Sequence, residues 1–269
     1  QILSGGEVSV NSLSAPIIVA FLAALVASGI CGAFNGFLVA KLNIQPMVAT
    51  LILYTAGRGI GQLITAGQIT YVRVESYKAM GGFLGPIPTP VIFAVAAVVV
   101  AYLVLNKTAL GMYIESVGIN SHASRLIGLN STRIKFLTYV ICGALAGLAG
   151  IVASSRIYSA DANNIGLNLE MDAILAVALG GNSLSGGKFN MAASILGAYV
   201  IQFLTTTLYK FDVQSDALPA YKAVVVILLV VLSTPKVREW LSAFGKKLKQ
   251  GKAVKAVSYT HLTLPTTSR

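Results

Sequence analysis

Residues 16–40 read PIIVAFLAALVASGICGAFNGFLVA, an apolar run without one charged side chain. It is longer than the ~20 residues a helix needs to cross the hydrocarbon of a bilayer. Six further apolar runs follow, at 46–65, 90–105, 136–153, 171–181, 191–208 and 218–233. Several fall short of ~20 residues, so tilted, partly buried or re-entrant segments are expected, with 171–181 the weakest span. The runs are continuously apolar and lack the two-residue alternation of a membrane barrel strand. The expected fold class is therefore all-α, a polytopic transmembrane helical bundle.

Composition agrees. Mean hydropathy is +0.77, and 11% of residues are charged, against roughly 25% in soluble domains. Small residues recur at helical spacing in Gly32-x-x-x-Gly36, Gly57-x-x-x-Gly61 and Gly143-x-x-x-Gly147. Such spacing lets helices approach closely.

The basic residues orient the bundle. With the C-terminal tail in the cytoplasm and each run crossing once, thirteen Lys and Arg fall inside, from Lys41 and Lys107 through the Lys-rich tail. Five fall outside: Arg73, Lys78, Arg156, Lys210 and Lys222. That asymmetry favours this orientation and places residue 1 outside. The net charge of +11 then reads as positive-inside topology and attraction to anionic membrane lipid, not as nucleic-acid binding. The chain starts at Gln1 without a methionine or signal peptide, which predicts N-terminal truncation. At the other end a basic tail, 236–257, gives way abruptly to SYTHLTLPTTSR at 258–269, a stretch with the look of a non-native scar.

Catalytic signatures are scarce. The two histidines, His122 and His261, form no metal motif, and no Cys cluster exists. Cys31 and Cys142 sit in apolar runs and read as small buried hydrophobes. The stretch 180–188, GGNSLSGGK, has glycines and a lysine but fails the spacing of a phosphate-binding loop, and Phe189 stands where Ser or Thr belongs. No ATP site, metal or other cofactor is expected, and the chain is not read as an enzyme. Ion coupling has little support, because the carboxylates lie in loops or at run ends. Arg58 is the charge well inside a run. It either faces a polar pathway or is a structural arginine satisfied by carbonyls or snorkelling to the interface.

The loop 106–135, NKTALGMYIESVGINSHASRLIGLNSTRIK, is cytoplasmic in this orientation. It holds two expected short helices, 111–117 and 121–126, separated by Gly118-Ile119-Asn120. Asn120 and Ser121 suit the cap of the second, and Gly128 with Asn130 its end. A short amphipathic helix beneath a bundle suits a groove on a partner protein or an interfacial position on lipid.

Thr108-Ala109-Leu110-Gly111, Val117-Gly118-Ile119-Asn120 and Gly128-Leu129-Asn130 resemble the cytoplasmic coupling segment of the permease subunits of bacterial monosaccharide ABC importers, the ribose and galactose type. Upstream, the resemblance includes Asn35-Gly36, Pro46-Met47-Val48-Ala49-Thr50-Leu51 and Gly57-Arg58-Gly59. Downstream it includes Glu170-Met171-Asp172, Leu179-Gly180-Gly181, Gly186-Gly187 and Lys222-Ala223-Val224. It spans about 14–235 in one order, and Ala160-Asp161-Ala162-Asn163-Asn164 is closest to the galactofuranose permeases.

The resemblance implies a transmembrane permease domain over 1–235, with about seven of ten expected segments present, in the bacterial inner membrane. It implies a cytoplasmic ABC ATPase, a periplasmic sugar-binding protein and a second permease subunit, identical or different, as partners. ATPase coupling falls to Gly111, Glu115, Gly118, Asn120, Ala123 and Arg125, with a local turn requirement as the alternative for each glycine. Translocation-pathway candidates are Asn35, Arg58, Gln62, Asp172 and Asn182, because polar groups in or beside apolar spans need partners or water. Helix–helix hydrogen bonding is their alternative. Tyr54, Tyr71 and Tyr221 either stack on a sugar or anchor at the interface. A gradient-driven secondary transporter of a small polar solute is the competing function, and a membrane-embedded enzyme a more distant one.

Overall fold

The computed structural model describes residues 9–10, 17–184, 186–211, 217, 220–225 and 227. The basic tail, the 258–269 stretch and most of the 218–233 run lie outside them. Five of the described helices are long and apolar enough to cross a membrane: α1 (Ile17–Ala40), α2 (Pro46–Thr65), α4 (Thr89–Lys107), α7 (Ser131–Ile157) and α9 (Met191–Lys210). At 1.5 Å per residue they are ~28–40 Å long, enough for a ~30 Å hydrocarbon core. Local chemistry sets their ends. Pro46 opens α2 at its first turn, where a missing N–H costs nothing. Ala66 closes that helix in the left-handed conformation.

The 171–181 run holds a helix shorter than the other spans. It forms α8 (Leu169–Leu179), 11 residues and ~16 Å long, about half a bilayer core. The chain then turns at Gly180-Gly181, where Gly181 has φ +78°.

The chain divides into two compact units. The first runs to Met171 and takes in Ser183–Met191; the second comprises Asp172–Asn182 and continues from Ala192. In the first, α1 and α7 form an antiparallel pair built on glycines. A Cβ on Gly32 would lie 2.5 Å from the Tyr139 carbonyl oxygen, and one on Gly143 would lie 2.8 Å from Gly32 Cα. Gly36 faces Phe136 in the same way, and Gly147 faces Ser28. Two of the three small-residue motifs therefore meet each other. Among the described residues the third packs no helix: a Cβ on Gly57 would meet nothing within 4 Å, and one on Gly61 would meet Ala162, in a loop.

Short helix α3 (Glu75–Gly81) rests on the end of α7, with Gly81 against the carbonyl of fully buried Ser155. Tyr77 donates to Ser154 Oγ (2.7 Å), which donates to the Ser159 carbonyl (2.6 Å). Burial pushes the Tyr77 phenol up from its ordinary value, partly offset by the bond to Ser154.

Strands β1 (Ser9–Val10), β2 (Thr70–Val72) and β5 (Ser159–Ala160) form one small sheet, β1 parallel and β5 antiparallel to β2. A separate hairpin joins β3 (Phe83–Leu84) to β4 (Ile87–Pro88). All three strands of the first sheet come from segments that the charge pattern assigns to the outer side. The alternation inferred from Lys and Arg thus fits the chain's own hydrogen bonding.

In the second unit, Ala176 and Ile201 pack with Leu175, Leu179 and Leu204. Gly180 and Gly197 bring the α8 and α9 backbones together; a Cβ on Gly180 would stand 2.6 Å from the Ala193 carbonyl.

Cys31 and Cys142 are exposed, correcting the expectation that they are buried. On a membrane helix the outward face meets hydrocarbon, so a weakly polar thiol needs no protein cover.

Candidate functional site

Two sets of candidate functional residues lie at opposite ends of the first unit. At the end that the charge pattern assigns to the cytoplasm, α5 (Ala109–Ile119) and α6 (Ser121–Leu126) form an elbow. Thr108 caps α5, its Oγ1 accepting from the Leu110 N–H (3.3 Å). Asn120 caps α6, its Oδ1 accepting from the N–H groups of His122 (3.0 Å) and Ala123 (3.1 Å). The first helix runs on through Gly118 and Ile119, so a single residue, Asn120, makes the break where three were expected. Asn130 does not end α6; it caps α7, accepting from the Arg133 N–H (3.1 Å). Gly128, at φ +87°, makes the turn between them.

All six coupling candidates lie in this elbow, in two environments. Gly111 is buried where α5 begins, pressed against the Leu105 carbonyl. Gly118 lies against Gly187, and Glu115 is half-buried. Asn120, Ala123 and Arg125 are exposed. The alternative reading of the two glycines is corrected in kind: Gly111 and Gly118 are helical, and close backbone approach, not a turn, occupies the space a Cβ would need. The elbow also exposes Met112, Ile119, Leu126 and Ile127, the last two at 90% and 75%. The sequence reading missed these four. The signal was their clustering around two glycines in a loop on the Lys- and Arg-rich side.

At the outer end, Arg58 and Gln62 lie on one face of α2. Arg58 Nη1 donates to the carbonyl oxygens of Ala162 (3.2 Å) and Asn163, and its guanidinium sits 5.2 Å from the Tyr54 ring centre. Gln62 Nε2 donates to Asn163 Oδ1 (2.6 Å). Asp161 shapes the receiving loop: its carboxylate accepts from the N–H groups of Asn163 (2.8 Å) and Asn164 (3.3 Å) and from Asn164 Nδ2 (2.6 Å). The Asn164 side chain first, then the Asn163 N–H, holds the Asp161 carboxyl below the ordinary carboxylate range. Arg58 is thus satisfied by carbonyls of a loop about a hundred residues away.

The other pathway candidates are not part of this cluster. Asn35 is 8% exposed in α1, and its Oδ1 has no hydrogen-bond partner among the described residues. In the second unit Asp172 forms an ion pair with Lys222, and Asn182 Nδ2 donates to Ser194 Oγ (2.7 Å). Tyr71 and Tyr221 are exposed. A groove of about 480 Å³ between α4 and α7, lined by residues such as Phe93, Val98, Leu145 and Leu148, is almost wholly apolar, with Arg156 among its lining residues. Those walls offer a hydroxylated solute almost no hydrogen bonds. Among the described residues no group of three or more His, Cys, Asp or Glu side chains could hold a metal ion.

Residues 4–234 match the family described as the permease component of branched-chain amino acid transport systems. The chain belongs to that permease family. It is 46% identical over 229 residues to the galactofuranose transporter permease protein YtfT of Escherichia coli K12, covering 85% of this chain and 67% of that protein. The fructose import permease protein FruF of Bifidobacterium longum is 43% identical over 230 residues, covering 84% of this chain and 64% of its own length. The ribose import permease protein RbsC of Escherichia coli K12 is 36% identical over 233 residues, covering 85% and 72%. The chain spans about two thirds of the length of these relatives. No solved structure matches it.

Proposed function

We propose that this chain is the membrane permease subunit of an ABC importer and supplies the translocation pathway for a monosaccharide across the bacterial inner membrane. The observation that carries the mechanism is the α5–α6 elbow. It joins two apolar helices of spanning length on the basic side of the bundle and turns Met112, Ile119, Leu126 and Ile127 outward beside Arg125. An apolar patch with a cationic rim, carried on short capped helices, suits a groove on a cytoplasmic protein. The sugars for which the three relatives are named support a monosaccharide over the amino acids in the family description.

In this reading ATP is hydrolysed by a separate ATPase docked on the elbow. A sugar-binding protein delivers substrate from outside, and a second permease subunit completes the pathway. Closure of the ATPase moves the elbow, and the helices respond as packed bodies. Glu115, Asn120, Ala123 and Arg125 are the residues of the sequence-derived set with surface to offer; Gly111 and Gly118 hold the elbow's shape. Arg58 and Gln62 face the outer side, where their donors are matched to hydroxyl or carbonyl oxygens.

The test is purification of the protein from its native membrane in mild detergent, with mass spectrometric identification of what remains bound. An ABC ATPase in near-equal amount is the expected result. Reproducible recovery of intact permease without one, together with uptake that collapses when the ion gradient is removed, refutes the proposal in favour of gradient-driven transport.

A further inference from the structure

One glycine-rich motif has no role in the account so far: GGNSLSGGK at 180–188, which fails as a phosphate loop. Its second glycine pair sits against the elbow. A Cβ on Gly186 would lie 2.8 Å from the Gly118 carbonyl oxygen and 3.3 Å from Gly118 Cα. In the reverse direction, a Cβ on Gly118 would lie 2.9 Å from the Gly187 nitrogen. Real Cβ atoms do not approach so closely, so the two backbones touch with no side chain between them. Gly186 and Gly187 also have φ of +96° and +105°, a region that side-chain-bearing residues rarely adopt. The segment Ser183–Met191 packs with the unit that holds α5, and the chain runs from it directly into α9.

We infer that Gly186 and Gly187 are positioning residues of the coupling site: their turn is the seat against which the Gly118 end of α5 is held, and it ties movement of the elbow to the chain leading into α9. This rests on the reading of the elbow as the ATPase dock. A backbone-to-backbone contact suits the role because it has no side-chain freedom to absorb a displacement, so a shift at one side is passed to the other.

Single alanine substitutions separate contact from strain. Gly118→Ala introduces the clash on a helical backbone, without φ strain. Gly186→Ala introduces clash and strain together. Gly181→Ala (φ +78°) introduces strain with nothing within 4 Å among the described residues. Each variant of the intact protein is purified with its ATPase and reconstituted. Two quantities are read: the amount of ATPase bound, and radiolabelled galactose, ribose or fructose imported per ATP, using whichever sugar the unmodified protein imports.

Gly118→Ala and Gly186→Ala are expected to keep near-normal ATPase binding while import per ATP falls about tenfold, within the range of measured coupling free energies; the strain control Gly181→Ala stays within about threefold. A contact that is merely structural would lower binding and import together. Unchanged import per ATP in Gly118→Ala, or equal loss in Gly181→Ala, overturns the inference. Should Gly186→Ala not reach the membrane, Gly118→Ala decides alone. Absence of any ATPase from the unmodified protein is a different outcome: it removes the docking reading on which the inference stands.

Discussion

The α1–α7 seam makes a prediction for which the Gly57-x-x-x-Gly61 motif is the control. Gly143→Ala would place a Cβ 2.7 Å from the Ser28 carbonyl oxygen and 2.8 Å from Gly32 Cα. Ordinary separations are ~3.3–3.6 Å for carbon to carbonyl oxygen and ~3.5–4.0 Å for carbon to carbon. The helices must therefore part by roughly 0.7–1 Å, a gap that forfeits about a quarter to a half of the dispersion attraction along the seam. Overpacking of this kind costs about 1–3 kcal/mol. Gly57→Ala has no atom to meet within 4 Å. It removes a residue that disfavours helix by about 1 kcal/mol relative to Ala. The two variants should differ by about 2–4 kcal/mol, which for a chain of this size is on the order of 10 °C in thermal midpoint. Thermal loss of the monodisperse peak, measured in one detergent at one heating rate, reads this difference, the rate being fixed because such unfolding is irreversible. The double variant Gly32→Ala/Gly143→Ala should cost less than the sum of its parts, since one separation of the helices relieves both clashes. Equal midpoints for Gly143→Ala and Gly57→Ala would refute the reasoning.

Three further outcomes follow from the polar contacts. Asp172→Asn leaves the Lys222 ammonium, 13% exposed, without its carboxylate; a fully buried pair would lose about 3–5 kcal/mol, and partial exposure here reduces that to roughly 1–3 kcal/mol. The exchange Asp172→Lys/Lys222→Asp should recover most of the thermal midpoint, and no recovery would show that the pairing does not stabilise the fold. Arg58→Gln removes charge-assisted bonds to two carbonyls and should cost about 1.5–3 kcal/mol, more than the about 0.5–1.5 kcal/mol for Asn163→Ala, which spares those carbonyls; denaturant midpoints in the reverse order would contradict the assigned geometry. The Asp161 carboxyl is held below its ordinary pKa, so its contribution to the 161–168 loop is complete above pH ~4 and is lost as pH falls through the lowered value. Pepsin should cut that loop increasingly as pH drops through this window. Asp161→Asn should abolish the dependence, and identical acid profiles for the two proteins would exclude Asp161 as its source.

How much of this was legible in the sequence depended on the range of the signal. Apolar runs fixed five spanning helices because length and hydropathy act locally. Asn120 was readable as a cap because an Asx side chain bonds N–H groups only two and three residues on. Asn130 was misassigned by the same logic: beside Gly128 it fits a helix end as well as a helix start, and only the next turn of chain distinguishes them. Gly-x-x-x-Gly records a small face without naming what lies on it, so the motif at Gly32 finds Gly143 while the one at Gly57 finds no helix among the described residues. The Gln62–Asn163 bond joins residues 101 apart and left no local trace. Met112, Ile119, Leu126 and Ile127 were passed over because an exposed apolar residue in an apolar protein stands out only once its neighbours are known.

The polar groups in and beside the spans bear on how a pathway could open. Arg58 and Gln62 are held by the Asn163 loop, Asp172 by Lys222, and Asn182 by Ser194. Each of these candidates has a partner within the chain, so offering one to a passing solute means breaking a bond it already makes. A sugar lowers that cost because its hydroxyls both donate and accept. A hydroxyl oxygen can replace the Asn163 carbonyl at Arg58, and a second can replace Asn163 Oδ1 at Gln62, leaving the number of bonds unchanged. An apolar solute offers no such exchange, and a bare cation would meet a guanidinium. Under the proposed function, opening is then a substitution of partners whose net cost is small, and the direction of transport is left to whatever moves the elbow at the opposite end.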